Sequence, residues 1–170
     1  MDISYDISKL KPVIEETHFA EHLKIYNSNK SKYDQGIGDI PFEKAGAHLH
    51  ELYFENIREF RSDNKPLGKI QDILETRYGN WANFYKSYID TVAKLQGSGW
   101  VFMNTAGYLN IIPNNRIVDN IAFVIDFWEH AYYPRYGANK EAYALDTLNI
   151  INWEVVNRRI LEAKDKKQSK

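Results

Sequence analysis

The hydrophobic pattern changes its period at Gly97-Ser98-Gly99. Before that point apolar residues recur at helical spacing, as in Leu10, Val13 and Ile14, then Leu23 and Ile25. After it come short apolar runs: Trp100 to Met103, Tyr108 to Ile112, and Asn120 to Asp126, where Ile121, Ala122, Phe123, Val124 and Ile125 follow one another without a polar residue. A continuous apolar run of that length fits a strand buried on both faces. Asn104 to Gly107 and Pro113-Asn114-Asn115 read as turns between the runs, and the first two runs read as a hairpin. So few strands among so much helix restrict the chain to an α+β fold. The expectation is a helical N-terminal hairpin lobe, then a C-terminal lobe of helices packed on a small three-stranded antiparallel sheet.

The helical segments are punctuated. Residues 6–34 read as a first helix, with Pro12 near its start, and Gly36, Gly38 and Pro41 break it. Residues 42–60 read as a second. Ser62 to Pro66 is a polar linker and the best lobe boundary, dividing residues 1–62 from 67–170. Leu67 to Tyr78 reads as a helix stopped by Gly79, and Trp81 to Leu95 as another. Lys140 to Leu148 and Glu154 to Ala163 read as closing helices.

Composition narrows the function. A chain of 170 residues with 44% hydrophobic residues can build one core. Aromatics reach 14%, with 12 Tyr and 4 Trp, enough to wall a site against water. A formal net charge of −1 offers no electrostatic footprint for nucleic acid. The basic run Lys164 to Lys170 is short and terminal, and reads as a solubilising tail. There is no cysteine, which excludes disulfides, thiolate zinc sites and thiol catalysis. Met1-Asp2-Ile3-Ser4 lacks the pattern of a signal peptide, and no apolar run approaches the roughly 20 residues of a membrane helix. A cytoplasmic protein without membrane or nucleic-acid partners is the expectation.

Histidine and aspartate carry the chemical signal. His18 and His22 are separated by one helical turn and share a face. His48 and His50 alternate, so only one of them can face a given site. Asp126 and His130 follow the last apolar run at a spacing that lets both reach one ion. Imidazoles with a carboxylate suit a first-row ion such as iron, manganese or zinc. From spacing alone, a zinc hydrolase, a non-haem oxygenase and a structural metal site all stay open.

The segment Asp126-Phe127-Trp128-Glu129-His130-Ala131-Tyr132-Tyr133 resembles the signature of the iron/manganese superoxide dismutases, Asp-x-Trp-Glu-His-Ala-Tyr-Tyr. Gly97-Ser98-Gly99-Trp100-Val101-Phe102 resembles that family's strand entry, and Asn152-Trp153 the start of its last helix. His18-x-x-x-His22-x-x-x-Tyr26 is similar to its first-helix pattern, and Ala45-Gly46 with His50-Glu51-Leu52-Tyr53-Phe54 to its second helix. The resemblance implies a superoxide dismutase using one iron or manganese ion per chain, held between the two lobes by His18, His50, Asp126 and His130, with solvent as a fifth ligand. It implies Tyr26 as a gate beside the substrate channel, His22 as the histidine behind it, and Trp100, Phe102 and Trp128 as an aromatic wall. It also implies a homodimer, with Glu129 reaching the partner's ligand histidine and Tyr133 the partner's second histidine.

Two departures from the family pattern stand out. A distal Gln that bonds the solvent is replaced by Asn115 in the turn Pro113-Asn114-Asn115, and the alternative Gln position on the second helix is Gly46. Asn115 is therefore the expected catalytic amide, one methylene shorter. The competing reading is a non-enzymatic structural or assembly protein on the same fold.

Overall fold

The computed structural model describes residues 3–168; Met1 and Asp2 of the expected leaderless start, and the last two residues of the basic tail, lie outside them. Two helices open the chain as a hairpin. Ile7–Leu10 forms a 3-10 turn, α1 spans Glu16–Gln35 and α2 spans Ile40–Glu55. The first helix starts later than the pattern suggests, because Pro12 has no amide to donate and restricts the residue before it. Gly36, at φ 67°, supplies the left-handed residue that ends α1. Asp39 caps α2 by accepting from the Phe42 amide, and Pro41 sits in the first turn, where no donor is missed.

After the linker come α3 (Lys69–Tyr78) and α4 (Trp81–Ala93), then β1 (Gly99–Asn104), β2 (Leu109–Pro113) and β3 (Ile121–Asp126). The sheet is three-stranded and antiparallel in the order β2-β1-β3. β1 is central, and every residue of β3 is buried, which accounts for its unbroken apolar run. The chain closes with α5 (Glu129–Tyr136), α6 (Lys140–Thr147), a 3-10 turn Leu148–Ile150 and α7 (Trp153–Gln168). The α+β architecture matches the expectation. α5 is an addition to it, an eight-residue helix with Pro134 inside.

One buried contact ties the hairpin to the sheet. Asn56, fully buried just after α2, donates to the Val124 carbonyl at 3.1 Å, and its Oδ1 accepts from the Val124 amide at 2.8 Å. A carboxamide has one donor side and one acceptor side, so it replaces a missing strand partner on β3. Arg159 of α7 adds bonds to Asn56, to the Ala122 and Leu52 carbonyls and to Glu55. Together these fix α2 against the strand that ends in Asp126. Among the described residues, no helix is long and apolar enough to cross a membrane.

Candidate metal centre

Four side chains converge where α1, α2, the end of β3 and the start of α5 meet. Ligand-capable atoms of His22, His50, Asp126 and His130 all lie within 4.8 Å of one another. Asp126 Oδ2 is the centre: it lies 3.1 Å from His22 Nε2, 3.1 Å from His130 Nε2 and 3.6 Å from His50 Nε2. The rings pack edge to face around it, His22 against His50 at 5.0 Å and against His130 at 4.7 Å.

Each donor is aimed by a second contact. Asp126 Oδ1 accepts from the Trp128 amide at 2.7 Å, which leaves Oδ2 free to face the histidines. His50 Nδ1–H donates to the Gly46 carbonyl one turn back at 2.6 Å. That bond consumes the ring proton and presents the Nε2 lone pair, which is buried and has no partner. Burial holds His22 down to about 3 and lowers His50 as well, so both rings are neutral at physiological pH. Burial raises Asp126, but the charge and hydrogen bond of His130, followed by those of His22, outweigh it and hold the carboxyl well below its usual range. Three imidazoles around a fully buried carboxylate form a donor set suited to a cation. The unpartnered His50 Nε2 shows that protein groups alone do not complete it.

His18 does not join this set. His22 is the one that faces Asp126; His18 Nε2 lies 2.5 Å from the His130 carbonyl oxygen instead. His22, expected behind the ligand, is thus the first-helix histidine grouped with the other three donors, and His18, expected as the ligand, lies against the backbone of His130.

Tyr26, one turn beyond His22, packs 6.4 Å from the His50 ring, and its hydroxyl donates to Glu51 at 3.0 Å. Burial, then the bond to Glu51, push its hydroxyl up to about 12. It is not a wall of the cavity beside the cluster. That cavity, about 180 Å³, is lined by Ile25, Asn29, Phe42, His50, Asn115, Trp128 and His130. Asn115 does reach it: its Oδ1 accepts from Trp100 Nε1 at 3.0 Å, which leaves the Nδ2 hydrogens free. Gly46 makes the room, since a Cβ there would lie 2.7 Å from Asn115 Nδ2 and 2.9 Å from Asn29 Cγ. Asn29, Ile25 and Phe42 escape sequence reasoning because they carry no metal-ligand chemistry.

The aromatic residues divide. Trp100 stands edge-on to His50 at 5.0 Å, and Trp128 lies over His130 at 6.2 Å. Phe102 points to the same side of β1 as Trp100 but is one pair further along, opposite Val124. Glu129 is exposed and accepts from Ser98 Oγ at 2.6 Å, and Tyr133 is 60% exposed. His22 is 2% exposed.

The family profile described as "Iron/manganese superoxide dismutases, C-terminal domain" matches residues 66–159. A protein named "Superoxide dismutase [Mn/Fe]" from Porphyromonas gingivalis is 30% identical, covering 94% of this chain and 97% of its own length. "Superoxide dismutase [Mn], mitochondrial" from Aspergillus niger is 28% identical over 94% of this chain and 91% of its own. "Superoxide dismutase [Fe]" from Bacteroides fragilis is 28% identical over 93% and 96%.

Proposed function

The chain belongs to the iron/manganese superoxide dismutase family, and we propose that it converts superoxide to oxygen and hydrogen peroxide at one iron or manganese ion held by His22, His50, Asp126 and His130. The observation that carries this is the buried group of four donors with an unpartnered His50 Nε2. When bound, the ion supplies the one-electron chemistry, cycling between 3+ and 2+ states, which excludes zinc.

The protein's share is orientation, charge and exclusion. Asp126 offsets part of the cation's charge, and the Trp128 amide keeps its carboxylate from rotating. The Gly46 carbonyl holds His50 in the tautomer that offers Nε2. Hydrogen bonds behind the ligands raise their basicity and tune the potential. Asn115, anchored through its oxygen by Trp100, has N–H groups to donate toward a small oxygen species in the cavity. Ile25, Phe42 and Trp128 wall a space well below the roughly 300–1,000 Å³ of drug-sized sites, and so suited to a small anion. Tyr26 keeps its proton on Glu51, and no proton step is assigned to it.

The homodimer belongs to the same reading. Glu129 and Tyr133 are exposed beside His130, whose ring is partly open, so a second copy can meet that ligand there. A cytoplasmic location is likewise part of it, checked by cell fractionation. All four donors are present, which leaves the non-enzymatic alternative without an observation in its favour.

The test is His22→Ala beside Asp126→Ala, measured for metal content and superoxide dismutation. Both should lose most metal and activity. Retention of metal by His22→Ala would refute the ligand assignment.

A further inference from the structure

Two asparagines of the cavity have their amides turned by partners that leave no choice of end. A carboxamide has one donor side and one acceptor side. Asn115 Oδ1 takes the indole Trp100 Nε1–H at 3.0 Å. An indole only donates, so the oxygen of Asn115 is occupied and its Nδ2 hydrogens are the free end. Asn29 is set the opposite way. Its Nδ2 donates to Glu43 Oε2 at 2.7 Å. Glu43 is 6% exposed, and Lys32 Nζ lies 3.3 Å from its other oxygen. A carboxylate beside a lysine only accepts, so the nitrogen of Asn29 is occupied and its oxygen is the free end. That oxygen is buried and has no partner, in a residue only 8% exposed.

The two free ends belong to one place. Both residues line the cavity of about 180 Å³ beside His50 and His130. Both crowd the point where a Cβ on Gly46 would stand, Asn115 Nδ2 at 2.7 Å and Asn29 Cγ at 2.9 Å. They do not bond each other, since Asn29 Oδ1 has no partner. A buried acceptor is unfavourable to leave unpaired. A molecule that satisfies both ends must accept from Asn115 and donate to Asn29. Superoxide has no hydrogen to donate. Hydrogen peroxide donates and accepts.

The geometry points to Asn29 as a product-binding residue: its Oδ1 accepts an O–H of hydrogen peroxide whose other oxygen accepts from Asn115 Nδ2. This rests on the dismutase reading above and deepens it. The seat holds the protonated product and offers superoxide, at Asn29, only a carbonyl lone pair. Trp100, Glu43 and Lys32 set the two amides, so no ion is needed to orient them.

The test is peroxide binding to the full-length protein, followed by the side-chain amide signals of Asn115 in nitrogen–proton NMR spectra. The protein is used metal-free and, in parallel, loaded with zinc, which has no redox chemistry and so does not consume peroxide. A ligand of two heavy atoms binds at best at about 10 mM, so the titration runs through and beyond that range. In the parent the Asn115 signals should shift saturably. Asn29→Leu keeps the shape, removes the acceptor and should weaken binding about 2–10-fold, the effect of one hydrogen bond. Glu43→Gln keeps Asn29 but gives it a partner that can accept or donate, so peroxide should bind less well there too. This variant decides the matter if Asn29→Leu does not fold. Azide, an anion without hydrogen, is the control on the zinc-loaded protein, and Asn29→Leu should leave its affinity unchanged. No saturable shift in the parent, parental peroxide affinity in the variants, or equal loss for azide and peroxide would each overturn the seat. A shift in a protein that holds no ion would sink the dismutase reading and leave the seat standing. Dismutation by a protein that shows no shift would sink the seat alone.

Discussion

Gly46→Ala sets two opposed effects against each other. Gly46 lies inside α2, and alanine in a helix interior is better than glycine by about 0.8–1.0 kcal/mol. Propensity alone therefore calls for a more stable protein. The added Cβ, however, would stand 2.7 Å from Asn115 Nδ2 and 2.9 Å from Asn29 Cγ. Neither group is free to swing away. Asn115 is held by Trp100, and Asn29 donates to the buried Glu43 at 2.7 Å. Forcing extra volume into a packed site costs about 1–3 kcal/mol. Breaking one of the two bonds adds about 1 kcal/mol. The clash outweighs the helix gain, for a net loss of about 1–3 kcal/mol. At about 2–4 °C per kcal/mol for a chain of this size, the midpoint should fall by about 2–12 °C. Thermal unfolding of the metal-free protein, followed by circular dichroism, reads this without reference to any ion. A midpoint that rises would refute the packing of Asn29 and Asn115 against α2.

Other outcomes follow from the same contacts. Acid should destabilise the metal-free protein well before it does so for a typical carboxylate-stabilised fold. The unfolded chain takes up protons at its histidines as pH falls through 6.5, whereas native His22 resists until about 3, so stability drops by about 1.4 kcal/mol per pH unit for that group across the interval. His50, also lowered, acts with the same sign, and the lowered Asp126 adds to the loss only below about pH 4; chemical denaturation between pH 7 and 4 that showed flat stability would contradict the histidine effect. Asn56→Ala removes both bonds to Val124 and should cost about 2–3 kcal/mol in urea unfolding, with a cost below half of that refuting its role as the tie between α2 and β3. Glu129→Ala should weaken a homodimer in sedimentation experiments; a parent that is monomeric at micromolar concentration would remove the basis for that interface.

The sequence was most readable where partners are close along the chain. Asp126 and His130 follow a buried strand directly, so both their spacing and the strand that aims them lie in one segment. The strands themselves were legible because β3 is buried on both faces and so carries no alternating polar residue. The choice between His18 and His22 was not legible from their spacing, because either histidine satisfies the same helical repeat. α5 carries Pro134 inside it and ends at Gly137, two residue types that interrupt a helical pattern in sequence. The cavity wall was equally hidden. Asn29, Phe42 and Asn115 come together only when α1, α2 and the turn after β2 are in place, and Gly46 matters for an atom it lacks.

The central claim is tested most directly by reconstituting the purified protein separately with iron and with manganese, then measuring metal content and superoxide dismutation on the same samples. About one ion per chain is expected from the one group of four donors among the described residues, with dismutation in at least one form. A protein that binds neither ion, or that binds one and leaves superoxide untouched in both forms, would contradict it.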